Sequence, residues 1–297
     1  MDKDKTIVIF NSVKYFLPFF NTKGIKTYMV YKDVGLISRI FRKLFGYLGL
    51  NRSYWYGDWY KELKKSDIKH VVLFANDETD IWSSIRKFGV SVFFWYWNPT
   101  KIYSKGLPTN LPSDFKPYSF DPVDCKAFNM DFNTTLYFDN IVLPDKVQKY
   151  DVLFVGMDKG RKSQLEDLEA LFKKMGISSL IYIVGNRTLF GDHSGNKPIG
   201  YSDYLGHIAE SNVILDLLQE RQSGLTLRAM ESLFFSKKLI TNDYTIVEQP
   251  FYKEHNIFII GKDSLDNLKT FIQTPFVPVD TEIMRYYDVT EWLKRFK

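Results

Sequence analysis

Between Asn212 and Thr241 the chain reads NVILDLL, then a polar loop to Ser223-Gly224, then LTLRAMESLFF, then SKKLIT. The apolar run from Asn212 to Leu218 has the length and bounding residues of a buried strand. A helix is predicted over Leu225 to Phe235, with Ser223 able to cap it and Gly224 letting the backbone come close to a ligand. Ser236-Lys237-Lys238 closes that helix and Leu239 to Thr241 returns as a strand. Strand, loop, helix and strand in this order commit the chain to a parallel α/β sheet. In such sheets ligands sit beyond the carboxyl ends of the strands, where open amides at a helix start attract anions. The corner Ser223-Gly224-Leu225-Thr226 is therefore an expected phosphate seat.

Arg228 and Glu231 stand three apart on the helix and share a face near its first turns, with Glu231 beside the apolar stripe of Leu227 and Phe234. One reading has Glu231 accepting hydrogen bonds from ribose hydroxyls while Arg228 and the loop amides hold phosphate. The other is an intrahelical ion pair at the edge of the stripe.

A second strand-to-helix corner has similar chemistry. Asp151 to Gly156 reads as a strand, Met157-Asp158-Lys159-Gly160-Arg161-Lys162-Ser163 follows, and Gln164 to Met175 as a helix. Lys159, Arg161 and Lys162 could clamp a diphosphate, with Gly156 and Gly160 allowing close approach, or form a solvated basic loop. Leu180 to Val184 and Ile257 to Ile260 read as further strands and Ser202 to Glu210 as a helix.

The first half follows the same alternation. Thr6 to Phe10, Thr27 to Tyr31, His70 to Ala75 and Ser91 to Trp95 read as strands. The aromatics of KYFLPFFNTKG between the first two either line a cleft or pack beneath a loop. Val34 to Leu50 is a basic amphipathic helix, with Leu36, Ile37, Ile40, Phe41, Leu44, Phe45 and Leu48 against Arg39, Arg42 and Lys43. It suits either a membrane interface or ordinary packing on the sheet. Tyr54 to Lys65 continues as a helix. Asn76-Asp77-Glu78-Thr79-Asp80 follows the third strand, where Asn76 or Asp77 would cap the next helix. Trp97 and Asn98 follow the fourth, either stacking on and hydrogen bonding to a sugar or anchoring the loop. Lys105 to Asp124 reads as a long surface connection with a short strand at Tyr118 to Phe120.

Two domains of about 150 residues each fit 297 residues. A formal charge of +5 suits a phosphate-bearing ligand or an anionic surface and is too small to argue for nucleic acid. One cysteine, Cys125, leaves no internal disulfide or cysteine-based zinc cluster, and a reducing cytoplasm is the simplest setting. No segment has the composition of a signal peptide or a membrane span. His70, His193, His207 and His255 lack paired-ligand spacing, and no G-x-S-x-G, G-x-G-x-x-G or DxD pattern occurs.

Gly224-Leu225-Thr226-Leu227-Arg228-Ala229-Met230-Glu231 resembles the GLTLR-x-x-E core of the GT-B glycosyltransferases of bacterial lipopolysaccharide and capsular polysaccharide biosynthesis, and the FWYWNP segment ending in Trp97-Asn98-Pro99 is similar to another feature of that group. The resemblance implies an α/β GT-B fold, two Rossmann-like domains with parallel sheets facing across a cleft. Residues 1–145 would hold the acceptor, 146–280 the nucleotide-sugar donor, and 281–297 would return to the first domain. It implies a cofactor-free, retaining transfer of a sugar to a surface polysaccharide or glycolipid, in the cytoplasm or at the inner face of the plasma membrane. Asp121, Asp124 and Asp131, dispersed without a DxD pair, with two basic loops offered instead, favour a metal-independent one. Gly156, Lys159, Gly160, Arg161, Lys162, Tyr201, Ser223, Gly224, Leu225, Thr226, Arg228 and Glu231 would contact the donor, and Ile199 with Gly185-Asn186-Arg187 would border the base. Arg161 and Arg228 would stabilise the leaving diphosphate, Trp97 and Asn98 would meet the acceptor, and Asp77 or Asp80 would serve as base if the reaction inverts. Retaining members carry a second glutamate eight positions before this one; here that position is Ser223. A non-catalytic partner of a polysaccharide assembly complex, or a membrane-surface scaffold, would keep the same fold.

Overall fold

The computed structural model describes residues 1–11, 14–65, 67–100, 111–185, 195–219 and 223–297. Asn186, Arg187, His193 and part of the Lys105–Asp124 segment lie outside the described residues. The chain divides into two compact units, Met1–Thr134 with Val289–Lys297, and Thr135–Asp288. The division falls before the expected 145/146 boundary. Every strand pairing described within the two sheets is parallel.

In the first unit β1 (Thr6–Phe10), α1 (Leu17–Thr22), β2 (Lys26–Met29), α2 (Leu36–Tyr47), α3 (Trp59–Lys65), β3 (His70–Phe74), α4 (Thr79–Arg86), β4 (Ser91–Tyr96), β5 (Phe115–Ser119), α5 (Pro122–Phe128) and β6 (Asp131–Phe132) follow one another. The sheet order is β2-β1-β3-β4-β5-β6. β1 and β4 are runs of apolar side chains because helices cover both faces of a parallel sheet. The chain runs from β1 outward to β2 and then back across to β3, so the β1/β3 junction is the point where winding reverses. The last helix of the chain, α11 (Val289–Lys294), also belongs to this unit. Its Trp292 packs edge-on against Trp95 at 5.5 Å, and Phe296 lies 5.6 Å from Phe93. Asn133 donates to the Trp292 carbonyl at 3.1 Å, and Tyr118 Oη to the Lys297 carbonyl at 3.2 Å.

The aromatic stretch after β1 is helix α1 rather than a loop, with Pro18 at its start where a missing N–H costs nothing. Ordinary packing of the amphipathic helix on the sheet does not occur, since no residue of α2 is buried.

The second unit contains β7 (Tyr150–Met157), α6 (Lys162–Lys174), β8 (Ser179–Val184), α7 (Tyr201–Ala209), β9 (Ser211–Asp216), α8 (Leu227–Phe234), β10 (Lys238–Thr241), β11 (Ile257–Ile259), α9 (Leu268–Gln273) and α10 (Thr281–Tyr287). Its sheet runs β11-β10-β9-β7-β8. Val152 of β7 lies opposite Val213 of β9 and Leu153 opposite Ile214. From β7 the chain winds to β8 on one side and then crosses to β9 on the other, so its reversal point is the β7/β9 junction. Val152, Phe154, Leu165, Phe172, Val213, Leu215, Ile240 and Phe258 form the core beneath it. The fold class is the expected one: two α/β units, each built on a parallel sheet.

Candidate functional site

The carboxyl ends of β7 and β9 collect most of the expected donor residues. After β7 the backbone turns through two successive left-handed residues, Lys159 at φ 48° and Gly160 at φ 81°. The Gly160 position has open space around it. This turn brings Arg161 back over the strand ends, where it is only 5% exposed. Its guanidinium donates to the carbonyls of Met157 at 2.7 Å, of Asp158 at 3.3 Å, and of Leu217. Arg161 thus ties the end of β7 to the residues just after β9, using three of its five N–H donors. The expected free phosphate clamp is in good part a structural brace, because the strand-end carbonyls need donors as much as a ligand would. Lys162 is exposed and faces Glu166 at 3.7 Å, one helical turn on.

Arg228 projects from α8 onto the same strand ends. It donates to Asp216 Oδ1 at 3.1 Å and to the Val155 carbonyl at 3.1 and 3.4 Å. The Arg228 and Arg161 guanidinium carbons lie 4.9 and 5.3 Å from the centroid of one buried ring, Phe154. A Cβ at position 156 would collide with the Arg228 guanidinium, so Gly156 makes room for that arginine rather than for a phosphate directly.

The start of α8 differs from the expectation. The helix begins at Leu227, and its cap is Thr226 rather than Ser223: Thr226 Oγ1 accepts from the Ala229 amide at 3.2 Å. The same hydroxyl donates to Asp216 Oδ2 at 2.6 Å, so one buried carboxylate fixes both the cap and Arg228. Leu225 is buried and its carbonyl accepts from Thr135 Oγ1 at 2.6 Å, while Gly224 takes φ 82° and Ser223 is half-buried. Asp216 went unpredicted, although an acid inside the run NVILDLL was a visible signal: a carboxylate at the buried end of a strand needs partners.

Glu231 does not form the intrahelical ion pair with Arg228. Arg228 pairs with Asp216, and Glu231 Oε2 accepts from Tyr204 Oη of α7 at 2.5 Å. Glu231 is 2% exposed, and burial pushes its carboxyl up to about 8 against the opposing effects of Tyr204 and Arg228. Burial and then the nearby Glu231 raise the Tyr204 phenol well above its ordinary value. Tyr201, expected at the base edge, shares a 2.5 Å hydrogen bond with Tyr137 Oη, and Ile199 beside it is half-buried. Glu231 thus sits within a set of tyrosines from α7 and the segment before β7, none anticipated except Tyr201.

The cations are too close together to be comfortable. Burial and then Arg228 lower Arg161 to about 10, and burial followed by Arg161 and Arg228 lowers the Lys159 ammonium. Asp216 pairs with Arg228 and, together with Asp158, favours the charge of Arg161, while the carboxyl of Glu231 is pushed towards neutrality.

The expected acceptor and base residues lie in the first unit. Trp97 is half-buried, its ring 5.7 Å from Phe74, and Asn98 is half-buried beside it. Asp77 is exposed. Asp80 is not available as a base in this arrangement: Arg52 donates to both its oxygens and Tyr56 Oη to one at 2.9 Å. Glu78 accepts from Tyr31 Oη and pairs with Arg52 at 2.9 Å. Asn76 rather than Asp77 turns into the loop, its Oδ1 accepting from the Glu78 amide at 3.2 Å. Among the described residues no group of three or more His, Cys, Asp or Glu side chains is placed to hold a metal ion.

No protein-family model and no curated protein matches this chain. Among solved structures it is similar to the S. aureus MnaA–UDP co-structure, at 11% identity and TM-score 0.45, over 96% of this chain and 91% of that one. A structure described as that of a putative UDP-N-acetylglucosamine 2-epimerase from Listeria monocytogenes is similar at 9% identity and TM-score 0.45, over the same shares.

Proposed function

We propose that the second unit binds a nucleoside diphosphate sugar and that the chain transfers its sugar to a glycan or glycolipid acceptor. The observation that carries this reading is the crowding of Lys159, Arg161 and Arg228 beside the carboxylates of Asp216 and Asp158 at the reversal point of a parallel sheet, where the cations disfavour one another's charge. A diphosphate there would relieve the mutual repulsion of the cations and meet the open amides at the start of α8. The charge that develops on the departing diphosphate would be met by groups already in place, which lowers the barrier without proton transfer. Glu231, largely protonated near neutral pH, would both donate to and accept from ribose hydroxyls, and Tyr204 would keep its carboxyl oriented. Trp97 and Asn98 are the acceptor-side residues in this reading, with Asp77 the remaining candidate base in the strand-end loop after β3.

The test is a panel of nucleotide sugars with isothermal calorimetry and detection of released nucleoside diphosphate. Binding by the wild type that falls at least tenfold in Arg228→Ala supports the reading. No binding to any donor overturns it. Conversion of the sugar into its epimer without an acceptor would replace transfer by isomerisation on the same diphosphate site.

A further inference from the structure

We propose that α2 docks the protein on an anionic lipid surface, lying in the plane of the interface with its apolar face in the membrane. The inference rests on which side of the helix is turned to the rest of the unit. Ser38, Arg42 and Phe45 form the packed side: Ser38 Oγ accepts from Trp55 Nε1 at 2.8 Å, Phe45 meets the Trp55 ring at 5.1 Å, and Arg42 lies 4.0 Å over the Tyr31 ring. At 100° per residue, Leu36, Ile37, Ile40, Phe41, Leu44 and Leu48 fall on the other side, and they point outward. Ile37 is 72% exposed, Leu36 73%, Ile40 57%, and Tyr47 at the end of the helix 90%.

A helix held only by the hydrophobic effect would turn this arc onto the sheet, since each large aliphatic side chain buried is worth about 1.5–3 kcal/mol. Here it stays in the open, a contiguous apolar patch of the kind that marks an interaction surface.

Charge selects the occupant. The helix sequence LISRIFRKLFGY carries Arg39, Arg42 and Lys43 and no acid, and the exposed Lys43, together with Arg39, which pairs with Asp33 at 3.1 Å, borders the apolar arc. Tyr47 and the 74% exposed Tyr54 add amphipathic rings of the type that favour the headgroup region. Twelve residues make a helix of about 18 Å, long enough to lie in an interface and too short to cross a bilayer core of about 30 Å. A ridge of six apolar side chains with cations along one edge fits anionic headgroups over acyl chains.

The experiment is vesicle co-sedimentation of the full chain, comparing equal parts phosphatidylcholine and phosphatidylserine with phosphatidylcholine alone. The expected result is retention on the anionic vesicles at least tenfold above the neutral ones. Lys43→Glu should lower the partition coefficient on the order of tenfold, and Ile40→Asp with Leu44→Asp should abolish binding. Because these side chains are exposed, both variants should melt at the wild-type temperature, which separates lost docking from lost folding. Equal retention of wild type and variants, or none on either vesicle, overturns the proposal. So does a concentration-dependent dimer in sedimentation velocity that the Ile40→Asp, Leu44→Asp variant abolishes, which would assign the face to a second copy of this chain.

Discussion

The two sheets have equivalent reversal points with opposite electrical character. Beyond β3 in the first unit, Arg52 faces two carboxylates, Glu78 and Asp80, and two tyrosines complete the network. Beyond β7 and β9 in the second, Lys159, Arg161 and Arg228 crowd one another, with Asp216 paired to Arg228, while Glu231 resists ionisation. One topology has thus been given an acid-rich end and a base-rich end. The contrast teaches that a parallel sheet supplies only the place for a ligand; the sign of the ligand is set by a few side chains. An anion is disfavoured at the first site by like charge and attracted at the second.

The comparison breaks most readily at Asp216. Asp216→Ala should cost about 3–5 kcal/mol, because Arg228 is left partly buried without its carboxylate, measured by urea denaturation; a loss under about 1 kcal/mol would mean the cations were never in conflict. The corresponding change in the half-exposed network, Asp80→Ala, should cost less.

Glu231 gives the next largest effect, as a slope with pH. Its carboxyl sits near 8 in the folded chain and at about 4.3 when unfolded, so the folded chain binds the proton more tightly. This stability contribution is complete below the unfolded value and is lost as the pH rises through about 8. Denaturation midpoints should therefore fall over that window in the wild type relative to Glu231→Gln, and parallel curves would show that the carboxyl is not held neutral.

Gly156→Ala should destabilise by about 1–3 kcal/mol through the collision with Arg228, and nucleoside diphosphate affinity should fall with it. A thermal melt unchanged from the wild type would show that the arginine has room to move. Smallest of all, exposed Asp77→Ala should change stability by less than about 0.5 kcal/mol; a drop in sugar transfer with no change in nucleotide binding would mark it as the base.

The strands were readable because a parallel sheet covered on both faces writes itself as continuous apolar runs, and β1 begins and ends where the pattern does. The start of α8 was misplaced because Ser223 and Thr226 are equally good caps in one dimension. Only the position of Asp216 selects Thr226, by engaging its hydroxyl. Helix α5 was legible and overlooked, since Asp121-Pro122 places a capping acid before a proline at the first helical position. The bond of Arg161 to the Leu217 carbonyl and of Tyr204 to Glu231 was not legible, because in each the partner comes from an element distant in sequence. The basic amphipathic pattern of Val34 to Leu50 was plain, but which side of it would turn to the rest of the unit depends on Trp55 and Tyr31, not on the helix itself.

The residence of Val289–Lys297 in the first unit has a bearing on biosynthesis. Translation delivers Trp292 and Phe296, which pack against β4, only after all of 135–288 has been made. The sheet of the first unit leaves the ribosome before that of the second, yet receives this aromatic wall after it.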